Sequence, residues 1–332
     1  MTKNSNSGAD IIDRATALRL LPRRDGHAHK WGVGGLLIVG GAPGYIGAPA
    51  LAARAAGRSG AGIVTMAIPR SSVGATVTLV PDAVFLPLPE TDSSHGVQAA
   101  LDQIGPVAAK CRAMVVGPGL SRDETATALL AALFGQARHA ATRSLGFGAL
   151  RPNSGEEQTD ALLGRSLPAV IDADALHWLS ECNGWWNNVE PHSLLLTPHG
   201  GEFSALTGIG NDEILADPAA VVQRAANDWK QTVVLKAGKA WISDGAAVRT
   251  TGSAAPALAT AGSGDVLSGA IGAFLAQGLA PIDAATIAVY AGVQAALHLT
   301  SELSTLGVVA GDLPRAIATV LADLETESET SR

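Results

Sequence analysis

The sequence predicts an α/β fold with a mainly parallel central sheet covered by helices on both faces, in three α/β/α layers. Short runs rich in Val, Ile and Leu recur along the chain, each followed by a turn bearing glycine or aspartate and then a helical pattern. The 332 residues are 47% hydrophobic, enough for a substantial core, and only 16% charged, against roughly 25% in an average domain. Glycine occurs 38 times, above the ~7% of ordinary chains, as tight backbone turns require.

Residues 1–25 read as an arm, with a helix over 9–21 stopped by Pro22. Residues 26–330 read as one domain. Strands are predicted over 36–39, 62–68, 113–117, 169–172, 193–197 and 232–236, all short and apolar. Helical spacing of apolar residues predicts helices over 48–57, 123–134, 219–229, 265–277, 283–299 and 313–324. The runs 241–243 and 247–250, joined by Asp244-Gly245, form a hairpin appended to the sheet. Residues 138–167 carry Gly146, Gly148, Pro152, Asn153, Ser154 and Gly155 with little periodicity, and so long an irregular connection reads as a surface insertion.

Several function classes fall away. The formal charge is −7 and no basic run occurs, so nucleic acid finds no electrostatic footprint. Cys111 and Cys182 form neither a disulfide framework nor a zinc motif, and the eight histidines lack zinc-ligand spacing. The uncharged stretch 31–53 is long enough to span a bilayer, but its seven glycines and two prolines read as strand, glycine loop and helix. No membrane segment is predicted, the first ten residues lack the apolar core of a secretory signal, and the cytoplasm is the expected compartment. Gly41, Gly44 and Gly47 have the wrong spacing for a dehydrogenase loop. Gly238-Lys239-Ala240 is not a P-loop, and no Gly-x-Ser-x-Gly elbow is present.

The chemistry-bearing residues gather at strand ends. Thr260-Ala261-Gly262-Ser263-Gly264-Asp265 runs straight into a helix, where converging backbone N–H groups and the helix N-terminus make an anion hole. A carboxylate beside a bound phosphate suits a base that takes a proton from an attacking hydroxyl, although capping the helix would also account for Asp265. Thr197-Pro198-His199-Gly200-Gly201-Glu202 follows a strand and opens another helix, at the end of the sheet where α/β folds place ligands. Glu202 suits water-mediated magnesium binding, or is simply a first-turn helix acid. Lys236-Ala237-Gly238-Lys239 ends the next strand with amides and ammonium groups suited to phosphates. With Asp172-Ala173-Asp174, Gly117-Pro118-Gly119 and the turn 40–50, six strand ends outline one cleft.

This set resembles the ribokinase-like superfamily and, within it, the NAD(P)H-hydrate dehydratases. The resemblance rests on HKWGVGGLLIVGGAPGYIGAPALAARAAGRSGAG, VVGPGL, VIDADAL, LLTPHGGEFSALTG, VVLKAGKAWISDG and TAGSGDVLSGAIGAFLAQG, in family order over most of residues 29–296. It implies dehydration of the S epimer of NADHX or NADPHX back to NADH or NADPH, with magnesium and with ADP, or ATP, as co-substrate. It also implies that Ala48, Gly119, His199 and Asp265 contact the hydrated dinucleotide and that Lys236, Ala237, Gly238, Lys239, Ala240 and Gly264 contact the adenine nucleotide. Asp265 is then the base, Gly262, Ser263 and Gly264 the anion hole, and Glu202 the residue that helps place magnesium. Related proteins are commonly homotetramers, and a separate NAD(P)HX epimerase is the expected functional partner. A small-molecule (vitamin-precursor) kinase of the same superfamily is the alternative, opposed by His199, where such kinases generally carry asparagine. A non-catalytic nucleotide-binding protein is a third reading, opposed by the presence of Asp265. Trp31 and His177 stand where the resembled family often has glycine and asparagine.

Overall fold

The computed structural model describes residues 8–136, 161–165 and 167–330. The chain begins with β1 (Asp10–Ile12), α1 (Arg14–Leu20) and the single turn α2 (Lys30–Val33). Alternation then sets in with β2 (Gly35–Val39), α3 (Gly47–Arg58), β3 (Ile63–Pro69), α4 (Val73–Leu79), β4 (Val84–Leu88) and α5 (Ser94–Ala108). It continues through β5 (Ala113–Val116), α6 (Glu124–Leu133), β6 (Ala169–Ile171), α7 (Asp174–Ser180) and β7 (Leu194–Leu196). Three helices follow: α8 (Gly200–Thr207), α9 (Asn211–Ala216) and α10 (Pro218–Trp229). The meander β8 (Thr232–Ala237), β9 (Lys239–Ser243), β10 (Val248–Thr251) precedes α11 (Ser263–Ala276), α12 (Pro281–Gly307) and α13 (Leu313–Thr330).

One ten-stranded sheet runs in the order β1-β10-β9-β8-β7-β6-β5-β2-β3-β4. Only β9 is antiparallel to its neighbours. The expected hairpin is thus built into the sheet. Side-chain alternation divides the core in two. Leu36, Ile38, Val115, Val170 and Val234 face α3, α11, α12 and α13, whereas Leu37, Val39, Val116, Ile171 and Leu235 face α5, α6, α8 and α10. The three-layer α/β/α expectation holds. After β2 the chain turns to β3 and β4 on one side, then returns to β5 on the other. The sheet order reverses between β2 and β5, which opens a crevice at their carboxyl ends.

The helix expected over 9–21 is instead β1 followed by a shorter helix. Asp13 caps α1, its Oδ1 accepting from the Thr16 N–H at 2.8 Å, so the helix cannot extend backward through Ile11 and Ile12. Those β-branched residues pair in parallel with Thr250 and Thr251. The arm is therefore an edge of the sheet, and Ile12 and Ala17 belong to the main core. The expected insertion over 138–167 lies largely outside the described residues. At its end, however, Leu163 is buried and both Leu162 and Leu163 donate backbone hydrogen bonds to the Leu133 carbonyl. Among the described residues, α12 alone is long and apolar enough to cross a membrane, not the 31–53 stretch. It packs on α11, α13, α1 and the β8–β10 meander, and bends at Ser304, whose φ is 61°.

Candidate active site

Two backbone devices shape the crevice floor. Gly117, just past β5, has φ 124°, and a Cβ there would overlap the Asp172 carbonyl, so the β5 and β6 ends touch main chain to main chain. Gly119 makes a similar approach: a side chain would strike the Tyr45 carbonyl and sit 3.2 Å from the Ala48 methyl. Asp174, at the start of α7, fastens the neighbouring loop, its Oδ2 accepting from the Ser121 N–H at 2.9 Å.

His199 begins α8 through a capping box. Its Nδ1 accepts from the backbone N–H groups of Gly201 (3.0 Å) and Glu202 (3.3 Å), while Glu202 Oε2 accepts from the His199 N–H at 2.9 Å. One oxygen of Glu202 is thereby committed to the helix start, and Oε1 is 3.5 Å from His199 Nε2. Burial holds the Glu202 carboxyl above its ordinary range, against the opposing pull of Lys236 and the His199 N–H. His199→Ala is expected to lose stability by the ~0.5–2 kcal/mol of a lost cap, as well as weakening substrate binding. His199→Asn is expected to restore the unfolding midpoint, because asparagine caps well, without restoring the substrate KM. A substrate KM restored along with the midpoint would reduce His199 to its capping role.

Lys236 ends β8 and reaches across β7 to Asp172, with Nζ 3.4 Å from Oδ1. Asp172 is all but fully buried and Lys236 about three-quarters so. The same ammonium lies beside Gly264, where a Cβ would come within 3.1 Å of it. Gly262 caps α11 with φ 90° and no side chain closes that helix start; the Ser263 N–H donates to the Thr260 carbonyl at 3.3 Å, and those of Gly264 and Asp265 have no backbone acceptor among the described residues. Asp265 does not cap the helix; its carboxylate has no hydrogen bond or ion pair among the described residues. Burial, then the nearby charge of Asp172, pushes its pKa up to about 7; Lys236 opposes the rise, and Asp174 and Glu202 add to it.

These groups line a cavity of about 700 Å³. His199, Glu202, Lys236, Gly238, Lys239, Ala240 and the whole 262–265 turn face it, as the strand-end argument expects. Ala237, Ala48 and Gly119 do not line it. Ala48 stays close, because Leu51, one turn along α3, packs beneath Gly262. Asp172 belongs to the site and went unassigned in the sequence, although the Asp172-Ala173-Asp174 strand end was visible there. The opposite wall is apolar, formed by Leu258, Val289, Val293, Leu313 and Ile317. Its residues lie on α12, α13 and the turn before α11, where their spacing reads only as core.

A family profile described as NAD(P)H-hydrate dehydratase matches residues 36–319. The bifunctional NAD(P)H-hydrate repair enzyme of Moorella thermoacetica is 34% identical over 323 residues, covering 96% of this chain and 55% of that protein. The chain spans about half the length of this and other curated relatives it matches. The ADP-dependent (S)-NAD(P)H-hydrate dehydratase of Xanthomonas campestris pv. campestris is 31% identical over 311 residues, with 92% and 94% of the two chains covered. Among solved structures, the Bacillus subtilis ADP/ATP-dependent NAD(P)H-hydrate dehydratase, co-crystallised with ATP and Mg2+, superposes with a TM-score of 0.74 at 24% identity, covering 96% of this chain and 99% of that one. A ribokinase-like superfamily protein of Enterococcus faecalis gives 0.77 at 21% identity, with 98% and 99% covered.

Proposed function

The chain belongs to the NAD(P)H-hydrate dehydratase family, and from that premise we propose that it dehydrates the S epimer of NADHX or NADPHX at the expense of ADP, giving the reduced dinucleotide, AMP and phosphate. The observation that carries this reading is Asp265: an uncapped, unpaired carboxylate at the mouth of an anion-binding helix start, with its pKa pushed to about 7. A general base works best when its pKa is near the operating pH.

Hydroxide leaves a ring carbon poorly, whereas phosphate leaves well. Asp265 takes the proton of the ring hydroxyl as its oxygen attacks the terminal phosphorus of ADP, and the bond to AMP breaks. The N–H groups at 262–264 and the Lys236 ammonium face the charge that develops on the phosphoryl oxygens. The ring C–O bond then breaks with the phosphate as leaving group, assisted by the ring nitrogen, and a neighbouring carbon loses a proton. The turn Lys236–Ala240 with Gly264 is assigned to the nucleotide phosphates, and the apolar wall of Val289, Val293 and Leu313 to its base. His199, Ala48 and Gly119 are assigned to the dinucleotide.

Magnesium fits this donor set only in a partial way. Among the described residues no group of three or more His, Cys, Asp or Glu side chains is arranged to hold a metal alone. Asp172 and the free oxygen of Glu202 offer the one or two hard donors that a phosphate-bound magnesium takes from protein, and the ion would neutralise phosphate charge there.

Mixing the protein with NADHX, magnesium and either ADP or ATP, and following reduced-nicotinamide absorbance, tests the proposal. Recovery only with nucleotide supports it and identifies the preferred one. A stable phosphorylated product without free phosphate or NADH would establish the kinase alternative instead.

The pH profile follows from the same carboxylate. The base is competent when deprotonated, so kcat/KM is expected to rise through pH ~7 and level off above it. Lys236 holds the Asp265 pKa down. Lys236→Met is therefore expected to move that limb to higher pH, beyond weakening nucleotide binding. An unmoved limb would assign the ionisation to another group.

A further inference from the structure

The segment His29 to Gly35, part of the recognised pattern, takes no part in the cleft. Gly35 opens β2 and Arg112 immediately precedes β5, so both lie at the amino ends of strands whose carboxyl ends face the cleft. Gln277, just past the C-terminus of α11, lies with them. With the turn 22–33, Arg112 and Gln277 enclose a second concavity of about 440 Å³, within the size range of small-molecule sites. It stands a full length of α11, 14 residues or ~21 Å, from the Asp265 turn.

Its lining is cationic in a chain of net charge −7: Arg23, Arg24 and Arg112, against Asp25 alone, with His27 and His29 as further polar groups. Asp25 is turned onto its own loop, where Oδ1 accepts from the His27 N–H at 2.7 Å. Arg24 is fixed by donation to the Gly60 carbonyl at 2.7 Å, and Arg23 donates to Ser328 Oγ at 3.3 Å. Neither is paired with a carboxylate among the described residues. The Arg112 guanidinium makes no hydrogen bond or ion pair among the described residues. His29 Nδ1 accepts from the Gly32 N–H at 3.0 Å, so the proton of the neutral ring sits on Nε2 as a donor. Three guanidinium groups gathered around a single acid, itself turned onto its own loop, leave net positive charge in the concavity. A phosphate group offsets that charge and matches the guanidinium fork in a bidentate way.

We propose that this concavity binds a small phosphate-bearing anion, at a site separate from the catalytic cleft. The experiment titrates inorganic pyrophosphate, and separately AMP, into the full chain by calorimetry, comparing the wild type with Arg112→Gln, Arg23→Gln and the cleft variant Lys236→Met. One binding event is expected to persist in Lys236→Met and to weaken about tenfold or more in each arginine variant. Both arginines are exposed, so the folded state and the cleft activity are expected to survive their replacement. AMP binding more tightly than pyrophosphate at this event identifies a nucleotide, and the reverse order identifies free phosphate groups. Loss of all anion binding in Lys236→Met, or binding indifferent to both arginine substitutions, overturns the proposal.

Discussion

Asp265→Asn is expected to lower turnover by ~10²–10⁴-fold while leaving nucleotide affinity nearly unchanged, measured as NADH recovery from NADHX against ADP binding by calorimetry. The substitution keeps the size and the polar character of the side chain but removes the proton acceptor. Nucleotide affinity is assigned to Lys236–Ala240 and the 262–264 turn, which the change leaves in place. A second readout comes from stability. The folded-state pKa is about 7 against an ordinary 3.8, so between these values the native state binds more protons than the unfolded chain. Stability of the wild type therefore falls as pH rises across that window, and the loss is complete above pH ~7. Asparagine has no such penalty. The variant is expected to unfold at higher denaturant than the wild type at pH 8, with the difference gone at pH 4. Full turnover in the variant would remove Asp265 from the mechanism. A stability difference independent of pH would mean that its carboxyl is not held protonated by its surroundings.

The role proposed for Asp265 ties chemistry to stability through how the sheet ends are built, and much of that construction was readable in the sequence. Six apolar runs became β2, β3, β5, β6, β7 and β8, and the glycine, aspartate, histidine or lysine at the ends of all but β3 marked the cleft edge. What escaped reading has physical causes. β4 is an edge strand with Val84 exposed and Pro87 inside it, so neither apolar alternation nor propensity marks it. β1 was hidden in an Ala/Leu/Arg stretch whose spacing suits a helix, until the Asp13 cap set the helix start. The two aspartates after β6 look equivalent in sequence. Only the backbone turn at Ala173, with φ 49°, separates them, sending Asp172 inward to Lys236 and Asp174 to the Ser121 N–H. The apolar cavity wall escaped because a side chain facing a ligand and one facing core have the same hydrophobicity and the same helical period.

Gly269→Ala is expected to destabilise the fold by about 2 kcal/mol or more, read from the denaturant midpoint. In isolation the change favours a helix, since alanine exceeds glycine there by ~0.8–1.0 kcal/mol. Packing decides against it. Gly269 lies in the middle of α11, where a Cβ would overlap the Ala52 carbonyl and come 2.7 Å from the Ala52 Cα on α3. Backbone cannot rotate away as a side chain can, so one helix has to shift. Overpacking of this kind costs ~1–3 kcal/mol, occasionally more, and here it has to exceed the propensity gain. The buried alanines of α3, Ala52, Ala53, Ala55 and Ala56, keep the two axes close. Displacing α11 also moves Asp265 in its first turn, so turnover is expected to fall together with stability. Gly57→Ala in α3 provides the opposite result from the same chemistry. Gly57 is exposed and a Cβ there meets nothing within 4 Å, so only propensity acts and a gain of ~0.8–1.0 kcal/mol is expected. If both substitutions stabilised, the α3–α11 contact would be looser than the structure has it, and the Asp265 turn would not depend on it.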